Sequence, residues 1–212
     1  MDRLAPAPDS RPHPPMTRHA DAQVPGRRYD GTAIALHWIT AILIVANLTL
    51  GLSMVGLPIS PRKLHWYLWH KSIGVTIFVL TSARLFWRVL HPPPPPVPMP
   101  RWQQGASALS HGALYALLFL IPVSGYLYSS ATGVQVVWLG LVPLPELVPK
   151  DKALGDALKI VHVTLNSLLV AVVCVHVAAA VRHHFFERDA VLSRMMPFVD
   201  SPEPLQNPMT RR

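Results

Sequence analysis

The segment Ala157–Arg182 combines the length of a membrane span with side chains that can do chemistry. It is apolar and long enough to cross a bilayer as a helix, yet it contains His162 and His176. Ionisable side chains are costly inside a membrane, so they indicate a function. From one histidine to the other the helix makes about four turns, which puts both imidazoles near one face and about 21 Å apart along the axis. This spacing predicts one cofactor site near each membrane surface.

The composition indicates a membrane protein. Of the 212 residues, 50% are hydrophobic and only 14% are charged, whereas a typical soluble domain has about 25% charged residues. The net charge of +8 does not indicate nucleic-acid binding, because the basic residues flank apolar segments. Cys174 is the single cysteine, so there is no intrachain disulfide, no CxxC pair and no CxxCH motif for covalent haem attachment.

Four apolar segments predict an all-α, integral membrane four-helix bundle. They are Thr32–Val55, Tyr67–Val89, Ser107–Ser130 and Ala157–Arg182. Residues 29–197 are predicted to form this domain, with a disordered cytoplasmic tail over 1–28, a polar segment beginning at residue 187 and a cytoplasmic tail over 198–212.

The connections between the spans are rich in proline. The linker between the second and third spans reads HPPPPPVPMPR and is predicted to be extended. Gly133–Lys152 is apolar but interrupted by prolines, so we expect it to lie on the membrane surface rather than to span. Pro122, inside the third span, predicts a kink.

The distribution of basic residues predicts that both termini are cytoplasmic. Arginines concentrate in the two tails and around the linker between the second and third spans. The opposite side has fewer basic residues: Arg62, Lys63, Lys71, Lys150, Lys152 and Lys159. This orientation places His70 and His162 near the outer surface, and His37 and His176 near the inner surface. The depths therefore pair His70 with His162 and His37 with His176.

Two imidazoles that face each other across a bundle suit an iron porphyrin with both axial positions filled. A zinc site would need three or four clustered ligands, and no cysteine or acid accompanies either pair. An iron with no open coordination position favours electron transfer over oxygen binding.

Other histidines leave alternatives open. His111 also lies at the inner depth and competes with His37 as the partner of His176, with a hydrogen-bonding role, a quinone site or plain packing as alternatives. His183 and His184 follow the fourth span and are interpreted as interfacial residues.

The sequence resembles the bacterial cytochrome b561 family of four-helix, inner-membrane dihaem cytochromes. The matching stretches are RYDGTAIALHW, WHKSIG, RLFWRVLHPPPP, SHGALYALLFLIPVSGYLYS and the fourth-span run from VHVTLN to RMMP. The resemblance covers about residues 29–197 and leaves out the proline-rich N-terminal extension. It implies two haem b groups with iron held axially by His37, His70, His162 and His176. It also implies oxidation of superoxide outside and reduction of ubiquinone in the membrane.

We therefore interpret the chain as a multi-pass inner-membrane oxidoreductase of the superoxide:ubiquinone type, with lipid and quinone as partners. The six basic residues of the outer side, with Lys71 and Lys159 next to the outer histidines, are expected around the outer haem, where they would attract superoxide or another anionic reductant. Ordinary contacts with lipid headgroups are the alternative role. Arg84 is expected to pair with an inner haem propionate, with lipid phosphate as the rival partner. An anchor subunit for a dehydrogenase or hydrogenase and a transporter of haem or metal are the alternatives. The oligomeric state stays open, with a homodimer as one arrangement.

Overall fold

The structure is a computed structural model that describes residues 28–197. The predicted tails therefore lie outside the described residues, apart from position 28. The four long helices are α1 (Gly31–Val55), α2 (Pro61–Leu90), α3 (Arg101–Ala131) and α4 (Lys152–Arg182). Each is long and apolar enough to cross a membrane, so the predicted all-α four-helix membrane bundle is confirmed. A π-helical turn, His183–Glu187, follows α4.

Three of the helices begin at a side chain that caps the first turn. The side chain of Asp30 caps α1, that of Ser60 caps α2, and that of Asp151 caps α4. Each accepts a hydrogen bond from a backbone N–H that would otherwise have no partner. Pro61 occupies the first position of α2, where its missing N–H costs nothing. As a result, α2 and α4 begin more than a turn before the apolar segments predicted from the sequence.

The bundle consists of two closely packed helix pairs. Backbone contacts are most extensive between α3 and α4 and between α1 and α2, and a smaller contact joins α2 to α3. Within residues 28–197, α4 has no comparable backbone contact with α1 or α2. A small core of α2, α3 and α4 side chains joins the pairs: Ile77, Leu117, Leu118, Ile121 and Leu169. Space therefore remains between the helices that carry the predicted histidine pairs.

A small β-hairpin covers one end of the bundle. Val137–Trp138 (β1) pairs antiparallel with Val142–Pro143 (β2). The hairpin is attached to α2, because Trp138 Nε1 donates to Thr76 Oγ1 at 3.1 Å and Ser72 Oγ donates to a carbonyl of β1 at 3.3 Å. The segment therefore packs against the end of the bundle, and its position on the membrane surface stays a prediction. We call this end of the bundle the hairpin end.

The opposite end, which we call the termini end, is closed by residues 188–197. Trp38 Nε1 of α1 donates to Met195 O at 2.7 Å. The buried Arg194 reaches the linker between α2 and α3, where its Nη1 donates to Pro95 O at 2.6 Å. We call this segment the C-terminal clasp. It was predicted only as the start of a polar segment, because hydrogen bonds of this kind have no signature in hydropathy.

The cap of α1 also joins two helices. Asp30 Oδ1 accepts from Ala33 N at 2.9 Å and from Trp87 Nε1 of α2 at 3.0 Å. Burial raises the pKa of Asp30, but these hydrogen bonds together outweigh it and hold the pKa below its usual value. The carboxylate is therefore ionised at neutral pH. Its contribution to stability is lost only as the pH falls through that lowered pKa.

Replacing Asp30 by Ala should lower the free energy of unfolding by about 0.5–2 kcal/mol, the usual cost of removing a cap. The measurement is the denaturation midpoint of the purified protein in detergent. Asp30→Asn is the matched control, because asparagine is also a good cap and keeps an acceptor oxygen. An equal loss in both variants would assign the effect to the charge rather than to the cap.

Candidate haem sites

At the hairpin end, His70 of α2 and His162 of α4 face each other. Their ring centroids are 6.3 Å apart and their planes are nearly perpendicular, at 86°. Two imidazoles on opposite sides of one metal ion, each with a nitrogen about 2 Å from it, require a centroid separation of roughly 6 Å. The observed separation therefore leaves room for one metal ion between the two imidazoles. The pair predicted from depth and helix periodicity is brought together by the fold.

Both histidines use Nδ1 to contact a backbone carbonyl of the neighbouring helix. His70 Nδ1 lies 3.2 Å from Asn47 O on α1, and His162 Nδ1 lies 3.1 Å from Ile121 O on α3. Ser124 Oγ lies a further 3.1 Å from His162 Nδ1. Because a carbonyl oxygen only accepts, each Nδ1 carries the proton and donates. Each Nε2 is then left with a free lone pair, which is the form in which histidine binds a metal.

A cavity of about 470 Å³ extends from this histidine pair. Its walls are mostly apolar side chains of all four helices, and the polar groups include both histidines, Lys71 and Asn166. Pro122 also lines it, within α3, which runs unbroken past this residue; a bend there stays a prediction. An apolar cavity with a few converging polar groups is typical of a cofactor site.

Two glycines let the neighbouring helices approach the imidazoles closely. A Cβ atom at Gly125 would lie 2.8 Å from His162 Cε1, and one at Gly51 would lie 3.2 Å from His70 Cε1. The first distance is well inside van der Waals contact, so the ring would have to move. A haem held by two imidazoles fits this arrangement. Both Nδ1 atoms are fixed by backbone carbonyls, and the glycines leave space for the rings. Sequence analysis overlooked the glycines, although a glycine inside an apolar helix is a signal of close approach.

At the termini end, three histidines gather: His37 of α1, His111 of α3 and His176 of α4. The ring centroids of His111 and His176 are 5.4 Å apart, in edge-to-face contact at 78°. This separation is shorter than the roughly 6 Å that two imidazoles bound to opposite sides of one metal ion require. His37 is close enough to both to interact electrostatically, and its buried Nδ1 has no hydrogen-bond partner among residues 28–197. The pairing of His37 with His176 stays a prediction.

The predicted basic site residues lie in different surroundings. Arg84 is half-buried on α2, with its guanidinium carbon 5.7 Å from the ring centroid of Tyr115 and within electrostatic reach of His37. Lys71 lines the hairpin-end cavity. Lys159 is exposed on α4 and is not among the residues lining that cavity.

The histidines that follow α4 are not arranged as haem ligands. His183 Nδ1 lies 2.6 Å from Asp189 Oδ2 and 2.9 Å from Glu187 Oε2. Its imidazole therefore holds the π-helical turn to the start of the C-terminal clasp. His184 is exposed beside Phe185, in keeping with its interpretation as an interfacial residue.

Comparison with known proteins identifies the family. The sequence model described as prokaryotic cytochrome b561 matches residues 28–198. The chain belongs to the prokaryotic cytochrome b561 family. Cytochrome b561 homolog 2 of Escherichia coli (strain K12) is 36% identical to it over 175 residues, which cover 80% of this chain and 91% of that protein. Cytochrome b561 homolog 1 of the same organism is 32% identical over 175 residues, covering 80% and 97%. Probable superoxide oxidase CybB of Yersinia pestis is 29% identical over 174 residues, covering 81% and 97%.

Membership of the cytochrome b561 family establishes the general role of the chain. It is a multi-pass protein of the bacterial inner membrane that binds haem b and transfers electrons across the membrane. The histidine pair at the hairpin end supplies ligands suited to that cofactor. The family thus favours electron transfer over the alternative of a haem or metal transporter.

Replacing Gly125 by Ala should disturb the haem at the hairpin end. The new Cβ would lie 2.8 Å from His162 Cε1, and the carbonyl of Ile121 limits how far the ring can turn away. We expect loss or a spectral shift of up to half of the haem, measured by the reduced-minus-oxidised absorption spectrum per mole of protein.

Gly112→Ala is the matched control for this substitution. It lies on the same helix, and a Cβ there would meet nothing within 4 Å. The control should keep the wild-type haem content and spectrum. If Gly125→Ala kept them too, the glycine would not be needed for the site.

Proposed function

We propose that this chain transfers electrons from superoxide outside the membrane to ubiquinone within it, through two haem b groups each held by two histidines. The observation that carries the proposal is the His70–His162 pair, with a separation of 6.3 Å and both Nδ1 atoms hydrogen-bonded to carbonyls. When bound, the haems would supply reversible one-electron oxidation and reduction of iron. An iron with both axial positions filled suits electron transfer.

Each closely packed helix pair would contribute one ligand to each haem. At the hairpin end, His70 comes from the α1–α2 pair and His162 from the α3–α4 pair. His37 and His176 follow the same rule at the termini end. His111 and His176, by contrast, belong to one helix pair, and their rings are already in contact at 5.4 Å. This symmetry supports His37 as the inner partner of His176, with His111 beside them.

The electrons given up by superoxide must equal the electrons taken up by ubiquinone. Each superoxide anion would give up one electron and leave as molecular oxygen. Ubiquinone takes up two electrons and two protons to form the quinol, so two superoxide anions would be consumed for each quinol. The printed name of the Yersinia pestis relative, probable superoxide oxidase, supports this donor.

We place the hairpin end outside the cytoplasm, with both termini inside, because arginines concentrate at the termini end. Several basic residues at the hairpin end already have partners. Lys152 pairs with Asp156 at 2.6 Å, Lys63 Nζ donates to a loop carbonyl at 2.6 Å, and the guanidinium of Arg62 stacks on a tryptophan ring at 5.2 Å. Asp156 offsets the charge of Lys152, whereas the other two contacts fix the position of a cation without cancelling its charge.

Lys71 is the basic residue best placed to attract an anionic donor. It directly follows His70 and lines the cavity at that site. Lys159 lies less than one turn before His162 on the exposed surface of α4, so it would add to the field without bordering the cavity. A positive charge near the site raises the rate of encounter with an anion.

Arg84 is proposed as the partner of an inner haem propionate. It is half-buried near His37, and no carboxylate pairs with it among residues 28–197. A guanidinium can bind a carboxylate through two parallel hydrogen bonds.

The four proposed ligands should separate into two groups when each is replaced by Ala. His70→Ala and His162→Ala should each remove the hairpin-end haem alone, and His37→Ala and His176→Ala the other, because the sites are about 21 Å apart along α4. Haem per protein and the redox titration of the remaining haem are the measurements. His111→Ala should keep both haems; loss of the termini-end haem in that variant would make His111 the ligand instead of His37.

Charge reversal at Lys71 tests the anionic donor. In right-side-out membrane vesicles with superoxide generated outside, Lys71→Glu should slow haem reduction about tenfold at low salt. The difference should shrink as ionic strength rises, because salt screens charges over about 8–10 Å. Reduction in inverted vesicles should lack this salt dependence if the hairpin end is outside.

Lys152→Glu is the matched control, because it makes the same change of charge at the same end but lies away from the cavity. It should slow haem reduction much less than Lys71→Glu does. With a neutral reductant, the haem of the wild type and of both variants should be reduced at the same rate. Equal rates with superoxide across salt concentrations would remove the electrostatic support for superoxide as the donor and leave haem binding intact.

A further inference from the structure

A second cavity, of about 520 Å³, lies at the termini end. The start of α1, the last turns of α2, the proline-rich linker, Tyr115 of α3 and Met195 of the C-terminal clasp line it. We call it the arginine cavity, because Arg28, Arg84 and Arg88 are among its lining residues. None of the three inner histidines lines it, although Arg84 borders this cavity and is also within electrostatic reach of His37.

The arginine cavity has an excess of positive charge. Asp30 is the one acidic residue among its described lining residues. Its Oδ1 is already engaged by Ala33 N and Trp87 Nε1, and it forms no ion pair with an arginine within residues 28–197. At most one carboxylate therefore offsets the charge of the three guanidinium groups, and that carboxylate already caps α1.

Two of the arginines lie one turn apart on α2, without a carboxylate or hydrogen-bond partner in the described part of the chain. Arg84 is half-buried and Arg88 is exposed, and neither side chain donates a hydrogen bond to another residue of the described part of the chain. Arg28 does donate to Met196 O, but its buried Nε has no partner there. Guanidinium groups at the level of the headgroups that have no carboxylate partner are available to bind an anionic headgroup.

The surroundings of the cavity suit an amphiphilic anion rather than a soluble one. Leu90 lines the cavity and is 56% exposed, and Val89 and Phe86 beside it on α2 are 72% and 66% exposed. This apolar surface would face lipid. Tyr29 and Trp87 lie among the lining residues, and such aromatic side chains favour the level of lipid headgroups. Acyl chains could follow α2 while the headgroup enters the cavity.

We propose that the arginine cavity binds the phosphate of an anionic glycerophospholipid, with Arg88 and Arg28 as the main contacts and Arg84 at its inner boundary. Basic pockets between transmembrane helices at the cytoplasmic surface are known to accept such headgroups. The C-terminal clasp and the proline-rich linker line the cavity, so they would enclose the headgroup more than an open protein surface does. This site does not depend on the proposed electron donor or acceptor.

The test uses the full-length haem-loaded protein in nanodiscs of phosphatidylcholine, titrated with a fluorescent phosphatidylglycerol. Arg88→Gln should weaken binding about fivefold, the effect of losing one cationic contact near a membrane surface. Arg88→Lys should bind nearly as well as wild type because it keeps the charge. Arg101→Gln is the matched control, because Arg101 is an exposed residue at the same end of the bundle that does not line the cavity.

Five outcomes would contradict the proposal. Wild-type binding in Arg88→Gln, or equal weakening in Arg101→Gln, would overturn the site. Equal binding of labelled phosphatidylcholine would show an apolar surface without selectivity for charge, and displacement by inorganic phosphate would show a site for free anions. Loss or a spectral shift of haem in Arg88→Gln would assign the cavity to a haem propionate. The proposal predicts none of these, with wild-type haem spectra in every variant.

Discussion

The hydrogen bonds from His70 and His162 to main-chain carbonyls are the contacts on which the hairpin-end site depends. Each joins two helices that are already packed together, α1 with α2 through Asn47 and α3 with α4 through Ile121. A helix carbonyl has a second lone pair beyond the one used in the helix, so these contacts need not break the backbone ladder. Each helix pair thus orients one imidazole by itself, and the distance between the pairs sets the size of the metal site. Membrane helices are free to stand apart in this way where a cofactor, rather than side chains, fills the space between them.

The sequence predicts the parts of this arrangement that follow from periodicity and depth. Hydropathy alone gives the four spans, and helix geometry with the alternation of spans gives the His70–His162 pair. The inner site was harder to predict, because His37 and His111 enter the membrane at similar depths and hydropathy does not distinguish helix neighbours. The distance between His111 and His176, which is too short for ligands on opposite sides of one iron, is information that only the three-dimensional packing supplies.

The features that sequence reasoning missed are contacts between single polar groups far apart in the chain. The β-hairpin is positioned by Trp138 and Ser72, and the C-terminal clasp by Trp38 and Arg194. In each case one side chain bonds to a group on another element, and several of the acceptors are backbone carbonyls that any residue carries. The pattern of apolar and polar residues therefore does not reveal which group accepts each hydrogen bond. Glycine is different, because Gly51 and Gly125 were visible in the sequence and only their neighbours were unknown.

The C-terminal clasp has a consequence for the order of assembly. Its residues follow α4 in the chain, so during synthesis they emerge from the ribosome after all four helices. The groups that fix the hairpin to α2 are by then already made. The contacts that hold the hairpin to α2 can therefore form before the residues of the clasp have been synthesised. Closure of the termini end thus requires the residues that are synthesised last in the described part of the chain.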